Sequence, residues 1–149
     1  MLLRSILLFA TTLLCIACGG GKVQHAEVSA PVDVRTLRIE NSSLERGATD
    51  TLRLGRLRSG EIIAKTIRVV NESDQPLVFT RHHVSCGCLG VKYDRKPIAK
   101  GASSDIELEF DSRTMMGLQL KTLVLYYAEN ARPMRIFVEA EVEKHFFFV

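Results

Sequence analysis

The sequence predicts an all-β domain, an antiparallel sandwich of about seven strands, behind an N-terminal export segment. Three observations carry this. After residue 31 no stretch sustains the i, i+3, i+4, i+7 apolar spacing of an amphipathic helix for three turns. Short β-rich runs instead recur between clusters of Gly, Pro, Asn, Asp and Ser, which is the rhythm of strands and turns. The clearest run, Ile106-Glu107-Leu108-Glu109-Phe110, puts three apolar side chains on one face and two carboxylates on the other.

In chain order, Val32 to Ile39 reads as a leading strand and Asn41 to Asp50 as a polar loop. Thr51-Leu52-Arg53-Leu54-Gly55 alternates briefly and runs into the turn Arg58-Ser59-Gly60. Ile62 to Val70 is a strand with Ile63, Ile67 and Val69 on one face, and Asn71 to Pro76 is a turn cluster. Leu77-Val78-Phe79 starts a strand that runs towards Cys86, and Pro97 to Ser103 turns around Gly101. After Ile106–Phe110, Gly117 precedes a strand from Leu118 to Tyr127. Ala128 to Pro133 then turns into a last strand from Met134 to Val142. About seven strands without a helix in about 118 residues is the size and rhythm of an immunoglobulin-like domain. Apolar residues at 46% and charged residues at 25% allow a core to form. There is no internal repeat, so residues 32–149 form one domain.

The start of the chain reads as an address. Arg4 is the only charge before an apolar run from Ile6 to Ala17. As a helix those twelve residues span about 18 Å, against about 30 Å for a bilayer core, so residues 1–17 read as a signal peptide. The run ends in Cys15-Ile16-Ala17-Cys18 and three glycines, which resembles the lipobox of a bacterial lipoprotein. That resemblance implies cleavage before Cys18 and acylation of its thiol and amine. Leu is usual where Cys15 stands, but a cut before Cys15 would place bulky Leu14 at the site. The plainer reading is an ordinary secretory signal that leaves Cys18 unmodified. Two or three acyl chains anchor firmly where one does not. No acidic residue directly follows Cys18, which favours the outer membrane with the domain facing the periplasm. Residues 18–31, beginning with the lipidated cysteine, read as a tether.

Several function classes drop out. A net charge of +3 without a basic run argues against nucleic acid. No tryptophan and 7% aromatics leave little for a stacking platform. No nucleophile elbow and no glycine-rich phosphate loop is visible, so the expectation is no enzyme and no cofactor. Glu107 and Glu109 read as a solvated strand face, His25 and His145 as solvated, and Lys121 as marking the exposed side of its strand.

Cys86-Gly87-Cys88 is the one unusual element. Its glycine suits a tight turn, and an exported domain is permitted a disulfide. A three-residue loop nevertheless removes only about 1.6 kcal/mol of unfolded-state entropy before strain. Three readings stay open: a structural pair (bonded or reduced), a labile redox pair, and a thiolate metal site. The redox reading lacks a thioredoxin-like βαβ context. The metal reading adds His82 and His83, since two imidazoles and two thiolates within seven residues suit copper(I) or zinc. Adjacent strand residues point to opposite faces, so at most one histidine joins Cys86 and Cys88, and an oxidised pair offers no thiolate. Metal is therefore the minor reading. Met115-Met116 read as loop hydrophobes rather than added thioethers.

The segment His145-Phe146-Phe147-Phe148-Val149 either covers the final strand or docks a partner by adding a strand to another sheet. Its terminal aromatics resemble an outer-membrane barrel sorting signal, but the body lacks the repeated membrane strands of a barrel.

Several residues share one order and spacing: Leu52-Arg53-Leu54-Gly55 and Gly60; Val69-Val70-Asn71; Gln75-Pro76-Leu77; Ser85-Cys86-Gly87-Cys88; Gly101; Phe110-Asp111; Gly117 with Lys121. This pattern, over about residues 50 to 142, resembles the Domain of Unknown Function 1573 family, abundant in Bacteroidetes and often lipid-anchored. Leu89 stands where that family usually has Thr, and the histidine pair is not part of its motif. The resemblance implies a PapD-like or ASPM–SPD-2–Hydin-like immunoglobulin sandwich outside the cytoplasm, with no assigned reaction. The expected function is a non-enzymatic, lipid-anchored module that binds another envelope protein. Sheet edges, loops near Cys86–Cys88 and the Phe146–Phe148 tail are its candidate surfaces. The alternative is periplasmic thiol-redox or copper/zinc binding at Cys86 and Cys88.

Overall fold

A computed structural model describes residues 34–128 and 131–144. The signal peptide, Cys18, the tether with His25, and the segment His145–Val149 with Phe146, Phe147 and Phe148 lie outside the described residues. Eight strands form two four-stranded sheets: β1 Val34–Ile39, β2 Thr49–Arg58, β3 Ile62–Asn71, β4 Phe79–Val84, β5 Leu89–Tyr93, β6 Ser103–Asp111, β7 Gly117–Tyr127 and β8 Met134–Glu143. One sheet has the order β1-β3-β6-β5 and the other β2-β8-β7-β4. The all-β sandwich is thus as expected, with faces where the alternation put them. Ile67 and Val69 are buried, Ile63 is half-buried, and Ile106, Leu108 and Phe110 face inward while Glu107 and Glu109 face out.

Three details differ from the expectation. The polar run after Ile39 contains a six-residue helix, α1 Asn41–Arg46. It is too short to show a period, and it ends at Gly47, whose N–H donates to the Ser43 carbonyl (2.9 Å) at φ 90°. The strand β5 had been hidden next to the cysteines, although Leu89, Val91 and Tyr93 alternate there with Gly90 and Lys92. The sheets are also mixed: β1 pairs with β3, and β2 with β8, in parallel. Parallel neighbours cannot be joined by a tight turn. Here α1 carries the chain from one sheet to the other, so β1 meets β3 only after β2, and β2 meets β8 only at the end of the domain.

The brief alternation of β2 has a local cause. Arg53 lies opposite Glu139 and Gly55 opposite Ala140, so Leu54 is an extra residue in a bulge. Gly55, at φ 77°, supplies the backbone that the bulge needs. The shift brings both Leu52 and Leu57 to the core although they are five positions apart.

The core fills the space between the sheets with Phe79, Phe110, Ile67, Leu125, Ile136, Val138 and their neighbours, all buried. Each such side chain contributes about 1.5–3 kcal/mol relative to exposure. The two ends of the sandwich differ. The upper pole carries α1, the Asn71–Pro76 turn and the chain after Tyr127, joined where the Arg132 N–H donates to the Leu44 carbonyl (2.8 Å). The lower pole carries Ser59-Gly60, the Ser112–Met116 turn and the end of β8. It is closed by Ser59 N–H to the Glu143 carbonyl (2.9 Å) and Ser112 N–H to the Glu61 carbonyl (3.0 Å).

The upper pole is knotted by Asn71, which is wholly buried. Its Nδ2 donates to the carbonyls of Gln75 and Ile98, both at 2.8 Å. Its Oδ1 accepts from the Ser73 N–H (2.9 Å) and the Ser73 hydroxyl (2.6 Å). Every polar position of this amide is therefore used, as a buried amide requires.

Candidate functional site: a half-open edge of β7

Among the described residues, the lower half of β7 has a neighbour on one side only. Its whole length pairs with β8, from Gly117 opposite Val142 to Leu125 opposite Met134. On the other side β4 covers only the upper half, from Phe79 opposite Tyr127 down to Val84 opposite Leu123. One further contact closes that ladder. The Ser85 N–H donates to the Thr122 carbonyl (3.0 Å), and the Thr122 N–H donates to the Ser85 hydroxyl (2.9 Å). There the chain leaves the sheet.

Cys86-Gly87-Cys88 makes that departure. The two cysteines are joined in a disulfide, with Cα atoms 5.2 Å apart, and both are half-buried against the core. Beyond them the Cys88 carbonyl accepts from the Asp111 N–H (2.9 Å) and Leu89 pairs with Phe110, so the chain is already in the opposite sheet. Ser85 through Cys88 is thus a crossing between sheets. Below Thr122, among the described residues, no strand covers that side of β7.

What this edge presents follows from strand geometry. Both backbone groups of Thr122 point towards β4, and the side to which they point alternates along an antiparallel strand. The N–H and C=O of Leu120 and Leu118 therefore point into the same open space. Their side chains stand on the outer face of the sheet, 62% and 75% exposed. Opposite them on β8 are Glu139 and Glu141. Those carboxylates are engaged from β2 by Arg53 (3.7 Å) and Arg56 (3.2 Å), so the two leucines stand beside partly neutralised charges. Met116, 56% exposed, continues the apolar stripe to the lower pole, while Met115 packs partly against the core.

The other candidate residues fall into place around this edge. His82 and His83 diverge as expected of strand neighbours: His83 lies opposite Val124 with an exposed side chain, while His82 Nδ1 is 3.3 Å from the Tyr93 hydroxyl. With Cys86 and Cys88 bonded to each other, no thiolate is present. Among the described residues no group of three or more His, Cys, Asp or Glu is placed to hold a metal ion. Lys121 does not mark the outer side of its strand. It shares the inward parity of Leu123 and Leu125 and is half-buried, which a lysine tolerates by running its aliphatic stem along apolar surface.

The titratable groups are held rather than poised. The Arg35 guanidinium, bonded through two contacts of 2.8 Å, holds the Asp50 carboxyl below its ordinary value. Arg68 does the same for Asp105, Arg113 for Asp111 and Lys100 for Asp74. Such carboxylates are weak bases. Burial alone raises the Tyr127 phenol, whose hydroxyl has no partner among the described residues. Tyr127 borders an open hollow of about 580 Å³ at the upper pole, with Leu44, Pro76 and Arg132 also in its walls. Asp74, at its rim, is already bonded to Asn41 and Lys100, both at 2.6 Å.

The half-open edge was not legible as such in the sequence. Its signals, an alternating Leu118/Leu120 pair and a Ser-Cys-Gly-Cys turn, were visible, but their adjacency depends on which strand lies beside which.

Comparison with known proteins gives a family and a fold. The profile of the family described as "Protein of unknown function (DUF1573)" matches residues 46–142. Among solved structures, a protein of unknown function from Porphyromonas gingivalis W83 superposes with a TM-score of 0.51 at 23% identity, covering 61% of this chain and 43% of that one. The Vibrio cholerae VesB protease also gives 0.51, at 16% identity, covering 62% of this chain and 30% of that one. The ASH/PapD-like domain of human CEP192 gives 0.46 at 8% identity, covering 64% of this chain and 82% of that domain. The chain spans less than half of the first two proteins, and at these identities the likeness is one of fold alone. The sequence matches no curated protein.

Proposed function

The chain belongs to the DUF1573 family, and we propose that it is a lipid-anchored, non-enzymatic module of the cell envelope that captures an extended segment of another envelope protein. The observation that carries this reading is the lower half of β7. Backbone groups at Leu118 and Leu120 that no strand among the described residues pairs, with the two exposed leucines themselves, are what a strand-adding ligand needs. Main-chain bonds supply affinity in that mode, and alternate side chains supply specificity. Natural sheets usually block such an edge with charge, proline or a covering loop. Leucines at this position, by contrast, favour occupancy.

The anchor fits the same reading. Cys18 carries the lipid, and fifteen residues separate it from Val34, a reach of at most about 50 Å. Strand β1 rises from Val34 opposite Thr66 to Ile39 opposite Asn71, so the described chain begins at the end of β1 that is farther from the upper pole. A tether of that reach would let the half-open edge meet partners at the periplasmic side of the outer membrane. We take the Cys86–Cys88 bond as the device that turns the chain out of the sheet and keeps the edge uncovered. The half-burial of both cysteines against the core favours that role over thiol exchange or copper/zinc binding.

The test is isolation of the full-length lipoprotein from detergent-solubilised envelopes, beside a Leu120→Pro variant. Proline removes an N–H that points into the open space and none that bonds β8. The reading expects a co-isolated polypeptide that the variant loses; identical partners for both forms would overturn it.

A further inference from the structure

The strand-capture reading leaves open what kind of segment fills the half-edge, and we infer that it alternates apolar, acidic, apolar, with its carboxylate turned inward to Lys121. The inference rests on that reading and supplies the chemistry of the ligand.

The outer face sets two of the three residues. Ser85 still faces Thr122 across the ladder, and the chain crosses away at Cys86. An added strand therefore has room from Leu120 downward. Its residues opposite Leu120 and Leu118 put their side chains on the outer face, beside two exposed leucines. Apolar side chains suit both places, because cross-strand apolar pairs are favourable. An acid there would leave the leucines uncovered and add charge to a face that already holds Glu139 and Glu141.

The inner face sets the third. A residue between those two stands opposite Gln119 and points into the mouth of the sandwich. On the β8 side Gln119 faces Ala140 and Lys121 faces Val138, both buried and apolar. Gln119 has already turned its amide to the Met116 carbonyl (2.8 Å). Lys121 is half-buried on the same inner side, and none of the ion pairs among the described residues includes it. Lys96 and Lys100, by contrast, each hold an aspartate. Diagonal neighbours on adjacent strands lie about 7–8 Å apart, within reach of long side chains. A glutamate opposite Gln119 therefore meets the Lys121 ammonium, and a partly buried pair is screened less than an open one. A lysine in the same place would set two cations together. The backbone groups of Lys121 point to β8, so exchanging its side chain removes none that the captured strand uses.

The probes are fluorescent synthetic peptides with blocked ends, Thr-Thr-Val-Glu-Val-Thr-Thr and its counterparts with Gln or Lys at the centre. Binding to the full-length lipoprotein in detergent is read by fluorescence anisotropy. The wild type is expected to bind the glutamate peptide about fivefold tighter than the glutamine peptide, and the lysine peptide more weakly than either. Lys121→Met, which keeps an apolar stem, is expected to bind the glutamate and glutamine peptides equally. Lys121→Glu is expected to prefer the lysine peptide, and Leu120→Pro to lose all three. Lys121→Gln serves if another exchange at that position disturbs folding, which a thermal melt reports. Equal binding of the three peptides by the wild type, or a glutamate preference that survives without the lysine, overturns the inference. So does undiminished binding to Leu120→Pro, or a wild type that binds no peptide because a second copy or its own chain fills the edge. If it is overturned while Leu120→Pro still loses an envelope partner, the strand-capture reading stands. If Leu120→Pro loses no partner, that reading falls as well.

Discussion

Replacing Asn71 by alanine tests how the upper pole is held together. The substitution removes four hydrogen bonds of a wholly buried amide: two donated to the Gln75 and Ile98 carbonyls, and two accepted from Ser73. A typical bond contributes about 0.5–1.5 kcal/mol net, and a buried group left unsatisfied costs about 1–3 kcal/mol. In the variant the Ser73 hydroxyl, freed from the amide oxygen, can turn its one hydrogen to the Gln75 carbonyl 2.9 Å away, so the full sum is not lost. The backbone bonds of Asn71 with Ala102 and Gly101 also survive. The expected loss is about 3–4 kcal/mol, a large part of the roughly 5–15 kcal/mol that stabilises a domain. Urea unfolding reads it as a midpoint lowered by about 2 M, taking a slope of about 1.5–2 kcal/mol per M. Asn71→Asp sharpens the point. It keeps acceptors for Ser73 but faces two carbonyls with a carboxylate, so at neutral pH it should be at least as damaging as alanine. It should recover in part in acid, where the protonated carboxyl can donate. An Asn71→Ala variant less than about 1 kcal/mol weaker than wild type would refute this account of the pole.

Other outcomes follow from the same geometry. Cys86→Ser with Cys88→Ser should cost about 1.6 kcal/mol by loop-closure entropy, read by urea unfolding without reductant; a loss above about 4 kcal/mol would mean that the bond does more than close a turn. Asp50 should make stability depend on pH in one direction. Its carboxyl is held below the ordinary value by Arg35, so the ion pair between β1 and β2 is fully present above the unfolded carboxyl pKa of about 3.9. It is lost as pH falls through the depressed folded value. Asp50→Asn should therefore lower the melting temperature at neutral pH and converge on wild type in strong acid. Leu118→Lys with Leu120→Lys should leave stability within about 0.5 kcal/mol, since both leucines are exposed and the lysines would face Glu141 and Glu139. A large loss in a thermal melt would show that these leucines belong to the core.

Much of the architecture could be read before any coordinates. Ile63, Ile67 and Val69, and again Ile106, Leu108 and Phe110, announce their faces because a half-buried strand alternates with period two. What escaped has physical reasons. The helix α1 is too short for its period to register, and β5 is five residues long beside a more conspicuous cysteine pair. The bulge at Leu54 breaks the alternation of β2 where a reader would use it. Asn71 reads as a turn residue, since nothing local says that its side chain is buried and bonded to a segment 27 positions away. The candidate site belongs to the same class. Leu118 and Leu120 alternate visibly with polar neighbours, and alternation would ordinarily assign the exposed side to polar groups. That β4 stops at Val84 and leaves them uncovered is a property of strand pairing, which no window of sequence contains.

The claim that an extended polypeptide occupies the lower half of β7 is tested most directly by site-specific photocrosslinking in intact envelopes. A photoreactive residue is placed at Leu118, at Leu120, and as a control at Glu107, exposed on the other sheet. The account predicts one discrete crosslinked polypeptide from positions 118 and 120, absent at 107 and lost from 118 when Leu120→Pro is added. Equal crosslinking at all three positions, or none at 118 and 120, would contradict it.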